Sequence, residues 1–143
     1  VGSEMCIRDS FLGREDLADR DDRCSLCAAA GLRYKTTELR EPLPPMLLCQ
    51  MKRWTANEHG GQRDKDTRLL EFEERLPLPS GVTYWLRSVI VHAGDDDAGH
   101  YTAYVRIDDG RWCFYDDRRV PRVLPEGCAA VAAAEAYLLF YEL

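Results

Sequence analysis

An α+β fold dominated by antiparallel sheet is what this sequence predicts, and three observations carry that expectation. Runs rich in β-branched and aromatic residues, such as Tyr84–His92 and Ala136–Glu142, recur between turn signals. Asp108-Asp109-Gly110 lies between two such runs and is a strong hairpin signal. Helical patterning is confined to short stretches near Phe11–Ala18 and from Pro125 through Ala136.

Taken in order, the chain opens on Val1–Ser10, which is similar to the translation of a transposase sequencing-library adapter. Such a segment is expected to be disordered and to take no part in folding, and the natural protein is then expected to continue upstream. Phe11 to Ala18 is expected as a short helix with Phe11, Leu12 and Leu17 on its apolar side. The charged run Asp19–Arg23 breaks it. Leu32–Leu39 alternates loosely and reads as a strand. Met46–Trp54 is the next, its apolar run suggesting a buried, central position. A polar loop over Thr55–Thr67 follows, then a short strand at Arg68–Phe72 and an edge or turn at Leu76–Pro79.

Tyr84–His92 is the longest strand candidate, and Ala93–Gly99 ends it because glycine and aspartate favour turns. His100 opens a strand that runs to Ile107, and Trp112–Tyr115 returns from the hairpin. Arg119–Val123 is a short extended piece. Pro125 can start a helix at its first turn, and the alanine-rich Cys128–Ala136 can extend it. Ala136–Glu142 closes the chain as a strand.

With 143 residues, 45% hydrophobic and 31% charged, the composition fits one soluble globular domain. A net charge of −6 argues against nucleic acid and anionic membranes as partners and permits a basic protein partner. No apolar run approaches membrane-spanning length. Six cysteines without secretory context read as reduced thiols or metal ligands, which makes an intracellular compartment the expectation.

The chemistry-bearing feature is the hairpin. It returns an imidazole, His100, beside the carboxylate pair Asp116-Asp117. An oriented carboxylate fixes the tautomer of a general-base histidine and stabilises its imidazolium. Register decides which acid is used. A three-residue turn puts Asp116 on the face of His100, one diagonal step away, whereas a two-residue turn puts Asp117 there. Gly110 suits the left-handed third position of the longer turn. The plain alternative is a solvated acid at a strand end and a turn histidine. Cys24-x-x-Cys27 offers two thiolates at zinc-ribbon spacing, but a structural zinc needs four ligands, and Cys49 and His59 do not form a second pair. His92 reads as a structural histidine and His59 as a solvent-exposed one.

Several stretches together resemble the C-terminal part of a ubiquitin-specific protease catalytic domain. They are Leu43–Trp54, similar to the family's box ending in Lys-Arg-Phe; Val91–Gly94 with Gly99–Tyr104; Trp112–Asp117; and Ala136–Tyr141. Cys24 and Cys27 resemble one knuckle of that family's zinc finger. The resemblance runs from about residue 11 to 143, which makes this span the C-terminal part of the catalytic domain. It implies the palm and partial fingers of a papain-like cysteine protease fold, truncated, and cleavage after the C-terminal glycine of ubiquitin.

His100 is then the general base, Asp116 its orienting acid and Asp117 a supporting acid. Gly99 and Tyr101 border the substrate tail, and the acids of Asp95–Asp97 could attract its arginines. Ubiquitin and ubiquitinated proteins are the implied partners. No cofactor is expected in this fragment, although zinc is implied for the full-length protein. The family's nucleophile sits in an N-terminal Gly-Asn-Thr-Cys-like box that has no counterpart here, so the chain alone is expected to be inactive. A non-catalytic ubiquitin-binding or scaffold module is the alternative, and a small thiol hydrolase using Cys128 or Cys113 is a third reading.

Overall fold

The structure is a computed structural model that describes residues 14–16, 34–55, 63–69, 72–95, 97–125, 131 and 135–143. The chain divides into two compact units, residues 1–43 and 44–143. In the first, β1 (Arg14–Asp16) pairs antiparallel with β2 (Tyr34–Thr36), Glu15 opposite Lys35. The helix expected around Phe11–Ala18 is therefore corrected to a strand at its described positions. Three charged residues have no helical apolar face of their own to bury, and pairing with β2 decides their conformation. The expected strand at Leu32–Leu39 is present in shortened form as β2.

The second unit is built on a seven-stranded antiparallel sheet. Its strands are β3 (Met46–Gln50), β6 (Arg75–Pro77), β7 (Thr83–Gly94), β8 (Gly99–Arg106), β9 (Trp112–Tyr115), β10 (Arg122–Val123) and β11 (Ala136–Glu142). They lie in the order β10-β9-β8-β7-β11-β3, with β6 pairing β7 off this path. A separate two-stranded ribbon joins β4 (Trp54–Thr55) to β5 (Asp64–Lys65). This ribbon stands where a plain loop was expected.

Alternation along β7 and β11, shifted by irregularities in their ladder between Ala136 and Leu138 and between Phe140 and Tyr141, builds the core. Tyr84, Leu86 and Val89 of β7 and Ala136, Leu139 and Tyr141 of β11 are all buried. Leu139 faces Val89 and, on its other side, Cys49, so one row of side chains runs across three strands. Burying each large apolar side chain of this kind is worth about 1.5–3 kcal/mol. The Tyr84 and Tyr141 hydroxyls donate to the carbonyls of Pro44 at 2.6 Å and Glu73 at 2.9 Å, so neither phenol is buried unpaired.

Two expectations need correction here. β3 is the last strand of the sheet, not a central one, and only Cys49 of its five residues is buried. An apolar run marks a strand that can be covered on both faces; among the described residues nothing pairs beyond β3. Of the strand expected at Arg68–Phe72, the described residues Arg68, Leu69 and Phe72 are not strand and the rest lies outside the described residues. The edge expected at Leu76–Pro79 is present as β6, where Leu76 is buried and Pro77 ends the pairing opposite Thr83. Proline suits such an edge because it has no N–H to donate.

Of the alanine-rich segment 128–136, Val131, Glu135 and Ala136 are described: Val131 is helical and buried, and Ala136 opens β11. Val1–Ser10, Cys24, Cys27, His59 and Cys128 lie outside the described residues, as does most of the expected terminal helix. No helix among the described residues is long and apolar enough to cross a membrane.

Candidate active site

Two hairpins share β8 and build the site. The first joins β7 to β8 through a tight turn in which the Asp95 N–H donates to the Ala98 carbonyl at 2.9 Å. Asp95 Oδ1 accepts from the backbone of Asp97 at 3.1 Å and Ala98 at 2.8 Å. Those bonds, above all the one from Ala98, hold its carboxyl below the usual range. This aspartate caps its own turn, while Asp97 is exposed. β7 also runs two residues past its expected end, to Gly94, which pairs with Gly99.

The second hairpin joins β8 to β9 by a three-residue turn. The Ile107 N–H donates to the Arg111 carbonyl and the Gly110 N–H to the Ile107 carbonyl, both at 2.9 Å. Gly110 has φ +84°, the left-handed conformation that favours glycine. The ladder then pairs Arg106 with Trp112, Tyr104 with Phe114 and Ala103 with Tyr115. Side chains alternate, so His100, Thr102, Tyr104, Phe114 and Asp116 share one face, and Tyr101, Ala103, Cys113 and Tyr115 share the other.

On the first face the imidazole meets the acid. His100 Nε2 lies 2.8 Å from Asp116 Oδ1, with 27% of the histidine side chain and 12% of the aspartate side chain exposed. The carboxylate is fixed independently by the turn that follows it. Oδ1 also accepts from the Arg118 N–H at 3.0 Å, and the Asp116 carbonyl accepts from the Arg119 N–H at 2.9 Å. Arg119 Nε stands 3.8 Å from Oδ2. The Arg118 N–H is the main cause that holds the Asp116 carboxyl below the usual carboxylate range. His100's hydrogen bond and the positive charges of His100 and Arg119 act in the same direction, against desolvation.

The acid is therefore ionised at neutral pH and can only accept. Nε2 of His100 must then carry the proton of the shared bond. That leaves Nδ1 with the lone pair, free to take a proton from a nucleophile on its open side. Asp117, by contrast, is exposed in the turn after β9.

Tyr101 does not join this pair. It is 55% exposed and turns to the opposite face, where its ring centroid lies 4.6 Å from that of His92. Gly99 lies at the start of β8, its backbone against the His92 ring. Neither described cysteine faces His100 with a reactive thiol. Cys49 is buried and its thiol is pushed up by desolvation, the reverse of what a nucleophile needs. Cys113 is buried on the face opposite Asp116 and shares a hydrogen bond with the Tyr115 hydroxyl, whose pKa is raised by it. No group of three or more potential metal ligands occurs among the described residues.

Sequence reasoning missed Arg53. Only 2% exposed, it donates from Nε to the Ala136 carbonyl at 2.6 Å and from Nη1 to the carbonyls of Asp66 and Arg68, each at 2.8 Å. It ties the residue before β4 to the segment after β5 and to the start of β11. Its trace in the sequence is the Lys52-Arg53-Trp54 end of the box noted above, which gives no sign of burial.

Comparison with known proteins points the same way as this geometry. The family model for ubiquitin carboxyl-terminal hydrolase matches residues 16–141. Ubiquitin carboxyl-terminal hydrolase 8 of Saccharomyces cerevisiae is 28% identical, over 94% of this chain and 31% of its own length. The bovine ubiquitin carboxyl-terminal hydrolase 15 is 33% identical, over 96% of this chain and 15% of its own. Among solved structures, a chain of the yeast SAGA DUB module superposes with a TM-score of 0.76 at 28% identity, covering 94% of this chain and 31% of that one. A chain of the SAGA DUB module bound to monoubiquitin gives 0.67 at 26% identity, with the same coverage. This chain thus spans no more than about a third of the relatives and structures just described. With its family model matched over nearly its whole length, the chain belongs to the ubiquitin carboxyl-terminal hydrolase family, as a region of a ubiquitin-specific protease catalytic domain.

Proposed function

We propose that residues 11–143 form the C-terminal part of a papain-like cysteine protease domain, its palm and part of its fingers, which hydrolyses the bond after the C-terminal glycine of ubiquitin. The observation that carries this reading is the 2.8 Å contact between His100 Nε2 and an Asp116 carboxylate anchored by its own turn. A thiol supplied by an N-terminal box of the longer polypeptide would lose its proton to His100 Nδ1 and attack the carbonyl. The imidazolium, stabilised by Asp116, would then protonate the leaving amine. Asp117 adds a nearby negative charge, and the Gly99 backbone, next to His100, borders the glycine tail, whereas Tyr101 turns its ring to the opposite face, against His92.

The same reading makes ubiquitin and ubiquitinated proteins the partners, in an intracellular setting. It makes Val1–Ser10 an adapter remnant outside the fold, and gives Cys24 and Cys27 a zinc role in the full-length protein.

The test is hydrolysis of ubiquitin bearing a C-terminal fluorogenic amide by the full-length protein. His100→Ala is expected to lower kcat/KM by about 10²–10⁴-fold. Undiminished cleavage by that variant would overturn the site assignment. A folded full-length protein that binds ubiquitin and cleaves nothing would replace the protease reading with the scaffold one.

A further inference from the structure

The face opposite His100 holds a second imidazole that no step of the proposed chemistry uses. His92 is 6% exposed, and its Nδ1 finds no hydrogen-bond partner among the described residues. Three rings from three other strands surround it: Tyr101 at 4.6 Å, Trp54 at 5.8 Å and Tyr137 at 6.1 Å between centroids. Its backbone is clamped as well. The Lys65 ammonium donates to the His92 carbonyl and lies 3.7 Å from Glu135.

What this clamped ring touches is Gly99. A Cβ at that position would fall 2.0 Å from His92 Nε2 and 2.7 Å from Cε1, so the imidazole edge takes the space of the missing side chain. Gly99 immediately precedes His100, and adjacent Cα atoms are held about 3.8 Å apart by the planar peptide. Whatever sets the height of Gly99 above the sheet sets the start of His100. An apolar side chain would fill the slot without leaving a buried nitrogen unpaired. The imidazole contributes a thin, flat ring that fits between glycine backbone and two tyrosines.

We infer that His92 is a positioning residue for His100: wedged against Gly99 and fixed by Tyr101, Trp54, Tyr137 and Lys65, it sets the backbone from which the His100 imidazole reaches Asp116. The inference rests on the role proposed above for His100. A loss of this wedge lets Gly99 drop toward the vacated space and loosens the bond to Asp116, while the surface that receives ubiquitin is left in place.

The experiment uses the full-length protein with His92→Ala, Gly99→Ala and the double variant. His92→Ala is expected to lower kcat by about tenfold with KM within about twofold, because misplacing a reacting group costs rate more than binding. It is also expected to broaden or abolish the downfield proton resonance of the His100 Nε2–H. A role confined to stability would leave that resonance unchanged in the folded protein. In the double variant the new methyl enters the vacated slot and is expected to restore kcat by about threefold over His92→Ala, a coupling that independent sites do not show.

Should His92→Ala not fold, His92→Gln decides: its side chain reaches the Nε2 position and is expected to keep kcat within about threefold of wild type, with the His100 resonance retained. Wild-type kcat and an unchanged resonance in folded His92→Ala would overturn the inference, as would loss of the resonance in folded His92→Gln. An inactive wild type would instead overturn the protease reading, a separable result.

Discussion

His92 and His100 are carried on neighbouring strands, eight residues apart, and the two regions around them differ in almost every physical respect. His100 is partly open to solvent, keeps a carboxylate at hydrogen-bond distance and has one nitrogen free to exchange a proton. His92 is buried, surrounded by aromatic rings, and has the Lys65 cation nearby. Burial is the main cause that lowers its pKa below the ordinary histidine value, with Lys65 adding to it and Asp95 opposing. One imidazole has a carboxylate for its partner, and burial favours the neutral form of the other. Alternation puts them on opposite faces, so the difference comes from which face each side chain meets and not from sequence distance.

The sharpest way to break the comparison is to remove the partner that defines the reactive side. Asp116→Asn keeps the shape but makes the His100 tautomer ambiguous, and the full-length protein is expected to lose about 10²-fold or more in kcat/KM on a ubiquitin amide. Wild-type kinetics in this variant would make the contact incidental.

Next in size is Gly99→Ala, which forces a methyl into the His92 ring and to 3.0 Å from the Ala93 carbonyl. Overpacking of this kind is expected to destabilise the fold by about 1–3 kcal/mol, read by denaturant unfolding. Gly110→Ala provides the contrast. Nothing lies within 4 Å of the added methyl, so only its φ of +84° resists, at a cost of about 1 kcal/mol. Equal losses at the two glycines would deny the wedge.

The smallest effect separates the histidines by pH. His92 has a lowered folded pKa, so its contribution to stability is complete above its unfolded value near pH 6.5 and is lost as pH falls through the folded value. His92→Gln is therefore expected to flatten the acid side of the stability profile below about pH 6.5, measured by thermal unfolding across pH. A parallel profile in wild type and variant would show that position 92 does not titrate on unfolding.

Much of this arrangement was legible in the residues. Asp108-Asp109-Gly110 specified the hairpin, and its glycine indicated the three-residue turn that puts Asp116 on the face of His100. Ala136–Glu142 was readable because its apolar side chains fit a strand and follow a helix-forming segment. Less legible features depend on distant partners. Arg14–Asp16 has no strand pattern of its own and becomes one only by pairing with Tyr34–Thr36. Met46–Gln50 reads as central from its apolar content, yet its place in the order is set by which strands flank β11. The exact neighbours of His92 could not be read either, since Trp54, Lys65, Tyr101 and Tyr137 come from four separated parts of the chain.

The turn that anchors Asp116 has a consequence for how the molecule assembles. Its bonds join residues two and three positions apart, and the acid meets the imidazole across only sixteen. By contrast, Gln50 meets Leu138 only after most of the chain has been brought together. Short loops close first, and an isolated hairpin forms in about 1–10 μs. The acid–base pair is thus expected among the earliest contacts to form, with its geometry in place before the sheet around it is complete.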